Sequence, residues 1–108
     1  MKYKIAYYSE DVEKLIIQLP KTLAVRYIRI TQLMTEFGGN LGMPHTKSIG
    51  DGLFEIRLKG QEGIARVFYC TVVNKNIVML HCFIKKTDKI PSKELDIAIK
   101  RKKEIKND

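Results

Sequence analysis

The sequence predicts one α+β domain, in which an N-terminal strand and an αα-hairpin pack on an antiparallel β-meander and a C-terminal helix follows. Two segments with apolar residues at helical spacing come first, and strand-like runs joined by short turns come after them. The chain has 108 residues, which is enough for one modest core. We therefore interpret residues 1–108 as a single domain, with helices expected mainly on one face of the sheet.

The first two elements are a strand and a short helix. Residues 2–8 (KYKIAYY) are typical of a strand that places Ile5 and Tyr7 on one face. Ser9 is a suitable N-cap, because its hydroxyl accepts a backbone N–H, and acidic residues in the first turn favour the positive end of the helix dipole. The apolar side of this helix is formed by Val12, Leu15, Ile16 and Leu19.

A second helix is predicted from about Lys21 to Phe37. Pro20 ends the first helix or opens the second, and Gly38-Gly39-Asn40 stops the second. The apolar stripe of this helix is formed by Leu23, Tyr27, Ile30, Met34 and Phe37. The two helices together predict an αα-hairpin.

The region after the helices predicts the meander. Residues 40–52 are loop-like, with a short strand around 46–49. Apolar and charged residues alternate over 54–59, which is the pattern of a half-buried strand. The strands predicted over 64–73 and 77–84 are nearly continuous apolar runs, so we expect them to be central and covered on both faces.

A last helix is predicted from Pro91 or Ser92, with an apolar side formed by Leu95, Ala98, Ile99 and Ile105. It ends in the cationic run KRKKEIK, from Lys100 to Lys106. This run is either a solvated helix end, which suits the negative end of the dipole, or a contact for RNA or a partner protein. On the second interpretation, Lys100 and Arg101 contact RNA.

The net charge of +8 indicates a polyanionic partner, and RNA is the first candidate. Solubility alone is the alternative explanation of this charge. Residues 44–108 hold fourteen Lys/Arg and eight Asp/Glu, so we expect the basic character in the sheet and the tail. The sequence has no apolar run near the ~20 residues of a membrane helix and no apolar signal-peptide core, which predicts a cytoplasmic protein.

The sequence predicts neither a metal nor a cofactor. Cys70 and Cys82 each lie in an apolar run, and the chain has no CxxC, HExxH, P-loop or GxGxxG motif. His81 lies inside a strand, where it is either a catalyst or a hydrogen-bonded core residue. His45 lies in the loop before the meander, where it either reaches the sheet face or is solvated.

Arginines in the middle of strands are the most informative feature of the sequence. If the turn at 60–63 pairs Lys59 with Ile64, then Arg57 faces Arg66 directly across the hairpin. Like charges in opposed positions are destabilising, and an anion between them would relieve the repulsion. A register shift of one residue would instead place the two arginines on opposite faces.

Lysines extend this cluster beyond the hairpin. Lys85 and Lys86 close the next strand and Lys89 follows them, so the group predicts a site for a phosphate of RNA. The alternative is that Arg57 is exposed and pairs with Glu55 or Glu62.

Four motifs in residues 53–104 resemble the phage-derived HigB-like branch of the RelE/ParE toxin superfamily. They are FEIR at Phe54–Arg57, G-x-x-R-V-F-Y at Gly63–Tyr69, F-x-K-K-T-x-K-x-P at Phe83–Pro91 and E-x-x-x-A-x-x-R at Glu94–Arg101. The resemblance covers nearly the whole chain, since the αα-hairpin also fits, and it implies a RelE-like fold.

The resemblance implies the toxin of a type II toxin–antitoxin pair. Such a toxin is a small ribonuclease that cleaves mRNA, usually on the ribosome, and its antitoxin is commonly a helix-turn-helix protein. The basic strand residues of the family correspond here to Arg57, Lys59 and Arg66, and those at the strand end to Lys85 and Lys86. The chain departs from the family in one respect, because the tail AIKRKKEIKND lacks the Tyr or His that many members carry.

The implied reaction is metal-independent attack of a ribose 2′-OH on the adjacent phosphorus. Arg57 and Arg66 are expected to stabilise the transition state, and Lys85 and Lys86 to hold the backbone or protonate the leaving 5′-oxygen. The candidate bases are Glu55, His45 and His81. Further RNA contacts are expected from Lys59, Lys89, Lys100 and Arg101. The competing interpretations are a basic module that binds RNA or protein without cleavage, and a toxin that has lost its activity.

Overall fold

The structure is a computed structural model that describes residues 2–72, 75–85 and 91–105. In chain order the elements are β1 (Lys4–Tyr7), α1 (Glu10–Ile17), α2 (Lys21–Phe37), β2 (Thr46–Gly50), β3 (Leu53–Gly60), β4 (Gly63–Val72), β5 (Asn76–Lys85) and α3 (Ser92–Glu104). This order is the predicted one, and the short strand expected around 46–49 is β2. Two residues of the predicted site, Lys86 and Lys89, lie outside the described residues.

The five strands form one mixed sheet in the order β1-β5-β4-β3-β2. Strands β2 to β5 form the predicted antiparallel meander, and β1 adds to its far edge in parallel with β5. The helical hairpin carries the chain from β1 at one edge to β2 at the other. The inner strands β4 and β5 are therefore flanked on both sides, which agrees with their apolar runs.

The two faces of the sheet are covered by different helices. Helices α1 and α2 pack on one face of the sheet. The core between them and the sheet includes Leu23, Met34 and Leu58. Helix α3 packs on the other face, where Ala98 meets a second buried cluster that contains Phe68. Two of the three helices thus lie on one face, as expected, and α3 covers the opposite face. Within the described ranges, the helices lack the combined length and apolarity that spanning a bilayer requires.

The helices follow the sequence pattern closely, except at the borders of their apolar stripes. The Ser9 hydroxyl accepts a hydrogen bond from the backbone N–H of Val12 at 3.3 Å, so the predicted N-cap is confirmed. Leu15 and Phe37 were expected in the core, but they are 44% and 73% exposed. Both lie at the edge of their stripe, where the helix surface turns away from the sheet, and Phe37 is also the last residue of α2.

The turn between β3 and β4 is held against the start of α2. The Thr22 hydroxyl donates a hydrogen bond to Glu62, which lowers the pKa of that carboxyl, and it accepts one from the backbone N–H of Gln61 at 3.1 Å. Gly60 lies so close to this residue that a Cβ atom there would be 2.3 Å from Thr22 Oγ1. Glycine at this position therefore allows the β3–β4 turn to contact the start of α2.

Replacing Gly60 with alanine should lower the free energy of unfolding by about 1–3 kcal/mol, because Thr22 cannot rotate away without losing both hydrogen bonds. Urea unfolding followed by circular dichroism measures this change. The matched control is Gln61→Ala, which keeps the backbone N–H and alters only an exposed side chain. Equal urea midpoints for the two variants would show that the close approach is not a constraint.

Candidate nucleic-acid interface

The register of the β3–β4 hairpin brings the two strand arginines face to face. Lys59 pairs with Ile64 and Arg57 pairs with Arg66, as predicted. Because the neighbouring residues Ile56 and Leu58 belong to the core under α1 and α2, the alternation of side chains puts both arginines on the α3 face. Two cations thus lie in directly opposed positions, which is unfavourable unless negative charge is supplied nearby.

Part of that negative charge comes from Glu55. Its carboxylate Oε1 lies 2.5 Å from Arg66 Nη1, and the two side chains are only 2% and 6% exposed. The alternative in which Arg57 pairs with Glu55 or Glu62 is wrong, because Glu55 binds Arg66 and Glu62 binds Thr22. Within the described residues, Glu55 Oε2 and Arg66 Nε have no hydrogen-bond partner, so this buried pair is only half satisfied.

Arg57 lies where the pairing of β3 with β2 ends and the outer edge of β3 becomes open. The ladder between β2 and β3 ends where Thr46 faces Ile56, and the backbone N–H of Arg57 then donates to the carbonyl oxygen of His45 at 3.0 Å. The half-buried Arg57 side chain places Nη1 3.7 Å from the sulfur of Met43. The backbone of His45 therefore contacts the edge of β3, and its side chain is exposed.

A β-bulge brings a lysine onto the arginine face. Phe68 pairs with His81 and Tyr69 pairs with Met79, so Leu80 is extra and the side chains beyond it change faces. As a result Lys85, opposite Ile64, lies on the same face as Arg66.

These residues line one groove of about 670 Å³, which we call the basic groove. Its lining residues come from α2, the loop before β2 and the strands β3, β4 and β5: Arg26, Arg29, Ile30, Leu33, Pro44, His45, Arg57, Leu58, Lys59, Ile64, Arg66 and Lys85. Among these described lining residues there is no carboxylate. Low-dielectric walls with charge of one sign concentrate the field and attract anions.

Five of the predicted site residues meet in the basic groove: His45, Arg57, Lys59, Arg66 and Lys85. Sequence reasoning missed Arg26 and Arg29 of α2. A signal for them was available, because they stand three residues apart, off the buried stripe, on a helical face shared with Leu33.

Two other predicted residues, His81 and Arg101, fasten α3 to the sheet. His81 is buried, and its Nε2 lies 2.9 Å from Glu94 Oε1. Arg101 donates from Nη1 to the carbonyl oxygen of Leu80 at 2.7 Å and lies 4.9 Å from the ring centre of Tyr8. None of these side chains lines the basic groove, and Lys100 is an exposed residue of the same helix.

A metal centre would need a different set of side chains. In the described ranges, no three side chains of His, Cys, Asp or Glu gather closely enough to hold an ion. Cys70 and Cys82 are buried thiols in opposite cores, and burial raises the pKa of Cys82 to about 12. A thiol with that pKa is protonated near pH 7 and is a poor nucleophile.

Comparison with known proteins identifies relatives for both sequence and fold. The family described as "Phage derived protein Gp49-like (DUF891)" matches residues 14–103. A chain of the archaeal RelE–RelB complex from Pyrococcus horikoshii OT3 superposes with a TM-score of 0.58 at 19% identity, over 80% of this chain and 98% of that one. No curated protein sequence has a significant match. The predicted resemblance is thus confirmed for the phage-derived family and the RelE-like fold.

Removing the Glu55 carboxylate should destabilise the protein strongly, because Arg66 would remain as a buried charge without a partner. We expect Glu55→Ala to lower the free energy of unfolding by about 3–5 kcal/mol, and replacement of both residues by apolar ones to recover much of that loss. Urea unfolding measures both changes.

The control for this prediction is Glu36→Ala, which removes a carboxylate from the exposed Lys2–Glu36 pair at the surface. A pair of this kind contributes little to stability, so the control should unfold almost like the wild type. A Glu55→Ala protein as stable as the Glu36→Ala protein would contradict the importance of the buried pair.

Proposed function

Because this chain belongs to the family of phage-derived Gp49-like proteins and has a RelE-like fold, we propose that it is the toxin of a type II toxin–antitoxin pair. Its activity would be that of an endoribonuclease that cuts mRNA. The observation that carries this proposal is the basic groove, where Arg57 and Arg66 face each other beside Lys85. Planar guanidinium groups bind phosphate oxygens through two hydrogen bonds at once, which suits them to an RNA backbone.

The proposed reaction is an internal transfer at one phosphate of the RNA. The 2′-oxygen forms a bond to the adjacent phosphorus while the bond from phosphorus to the 5′-oxygen breaks, which leaves a 2′,3′-cyclic phosphate and a 5′-hydroxyl. One proton leaves the 2′-OH and another joins the 5′-oxygen, so no external reactant is needed. The phosphoryl oxygens gain negative charge in the transition state, and fixed cations lower that barrier.

The two arginines serve this step in different ways. Glu55 fixes the buried guanidinium of Arg66 in one orientation and compensates its charge, so Arg66 would support the site without an uncompensated charge. Arg57 is half-buried at the rim, and its guanidinium has only a long contact to a sulfur in the described structure, so it would contact the scissile phosphate directly. The uncompensated charge of Arg57 would stabilise the negative charge that the phosphoryl oxygens gain in the transition state.

Proton transfer is assigned to His45 and Lys85. His45 is an exposed lining residue of the basic groove, whereas Glu55 is paired with Arg66 and His81 with Glu94. An imidazole nitrogen can accept a proton, so His45 is suited to take that of the 2′-OH. Lys85 would hold the backbone or supply the proton for the leaving oxygen, a task the sequence also allows for Lys86.

Two partners follow from the proposal. The substrate would be mRNA presented on the ribosome, and the inhibitor would be a helix-turn-helix antitoxin. The RelE-like relative is itself described in a RelE–RelB complex, which supports a protein partner for this chain. The cationic helix α3, with basic residues in its last turn, offers an antitoxin a surface of complementary charge.

The second candidate function is a module that binds RNA or protein without cleaving it. One observation favours this alternative: among the described lining residues of the basic groove, His45 is the one side chain that suits a general base. Mapping mRNA after induction separates the candidates, because a binder leaves the transcripts intact.

Loss of the rim arginine should abolish toxicity. Expression of the wild type without antitoxin is expected to arrest bacterial growth and to create discrete new 5′ ends in mRNA, as seen by primer extension. Arg57→Ala should reduce cleavage by about 10²–10³-fold, because one fixed donor to the transition state is gone. The matched control is Lys47→Ala, which removes an exposed cation of β2 outside the groove and should stay toxic. Equal arrest by both variants, at equal folding, would refute the assignment of Arg57.

Replacement of His45 tests proton transfer separately from binding. His45→Gln keeps a polar side chain but removes the base, so single-turnover cleavage of mRNA on purified ribosomes should slow by about 10²–10⁴-fold. Affinity for RNA should change less than threefold in the same protein. An unchanged cleavage rate would show that His45 is not the general base.

A further inference from the structure

The α2 wall of the basic groove carries cations that no internal contact explains. Arg26 and Arg29 are exposed, and within the described ranges neither lies within ion-pair distance of a carboxylate. They stand in the middle of α2, whose last turn contains no basic residue, so compensation of the helix dipole does not account for them. Both line the groove together with Leu33 of the same helix.

Arg26 and Arg29 line the groove on one side of β3, and the two hairpin arginines, Arg57 and Arg66, line it on the other side. Helix α2 packs on the face of the sheet that holds Ile56 and Leu58, whereas Arg57 and Arg66 lie on the α3 face. The groove is continuous because β2 stops pairing with β3 at Ile56 and leaves the end of β3 open at the edge. Cations on two sides of one strand are suited to two phosphates rather than to one.

Apolar side chains lie among the two sets of cations. Ile30 and Leu33 of α2, with Pro44 of the loop, line the groove beside the arginines. A cavity of about 670 Å³ is far larger than one phosphate group, and such volumes hold ligands with an apolar body. A nucleoside unit within an RNA strand fits this description, because its base supplies the apolar body and a phosphate follows on each side.

We propose that Arg26 and Arg29 form a second phosphate subsite, so that the groove binds single-stranded RNA at two or more phosphates along the strand. This inference rests on the proposed function in one respect, namely that the groove takes RNA. The path around the open edge of β3 requires a backbone that bends, which a single strand does and a duplex resists. Arg57, beside Arg66, holds the reacting phosphate, and Arg26 and Arg29 hold a neighbouring one.

The test uses a 2′-O-methyl RNA hexanucleotide with a fluorescent label, which cannot be cleaved because its 2′-oxygen is blocked. Fluorescence anisotropy gives the binding constant of the full-length protein at several salt concentrations. Each phosphate contact contributes about 0.7 to the slope of log K against log salt for a single strand. The double variant Arg26→Ala/Arg29→Ala should therefore have a slope shallower by about 0.7, because the contact to one phosphate is lost.

The matched control is Lys14→Ala/Lys21→Ala, which removes the same charge from exposed positions of the same helical hairpin outside the groove. Its slope should equal that of the wild type, and a blunt RNA duplex of equal length should bind the wild type more weakly than the single strand. Equal slopes for the two double variants would overturn the second subsite, as would absence of binding by the wild type.

The outcomes distinguish this inference from the proposed function. If mRNA is cleaved in cells but the two double variants have equal slopes, the subsite fails and the nuclease stands. If the slope falls as expected but cellular mRNA stays intact after induction, the subsite stands and the nuclease fails.

Discussion

A buried carboxylate allows the β3–β4 hairpin to carry two arginines in directly opposed positions. Glu55 and Arg66 are almost completely buried, and Glu55 Oε1 lies 2.5 Å from Arg66 Nη1. The charge of Arg66 is therefore compensated inside the protein, whereas the charge of Arg57 has no such partner among the described residues. Without Glu55 the facing cations would repel each other across the ladder, and a buried guanidinium would be without a partner. The opposed placement of Arg57 and Arg66 therefore depends on this ion pair.

The sheet topology turns this local arrangement into one continuous groove. Strand β2 covers only the first half of β3, so the second half has an open edge beside α2. Helices on both faces hold the strands in place, and the bulge at Leu80 turns Lys85 toward Arg66. A groove that runs around a sheet edge can thus collect cations from one helix and three strands. Six of the twenty Lys and Arg residues line this one groove.

Local patterns were enough to predict most of the fold, and long-range pairing decided the rest. The cap at Ser9, the bounds of α2 and the register of Arg57 with Arg66 followed from short-range signals, and all three were confirmed. The burial of Glu55 with Arg66 did not follow, because an acidic residue next to a basic strand has the same pattern whether it is exposed or paired. The face of Lys85 depends on a bulge, which an apolar run does not reveal. Arg26 and Arg29 belong to the groove only because the helical hairpin folds back on the sheet.

The chemical identity of the RNA ends tests the central claim most directly. We expect fragments made by the wild type on ribosomes to carry a 5′-hydroxyl and a 2′,3′-cyclic phosphate, since the attacking group is the 2′-oxygen of the RNA itself. A substrate with a single 2′-deoxyribose at the cleavage position should stay intact while neighbouring transcripts are cut. Fragments with 5′-phosphate ends, or cleavage of the deoxy-substituted substrate, would contradict a groove that works by internal transfer.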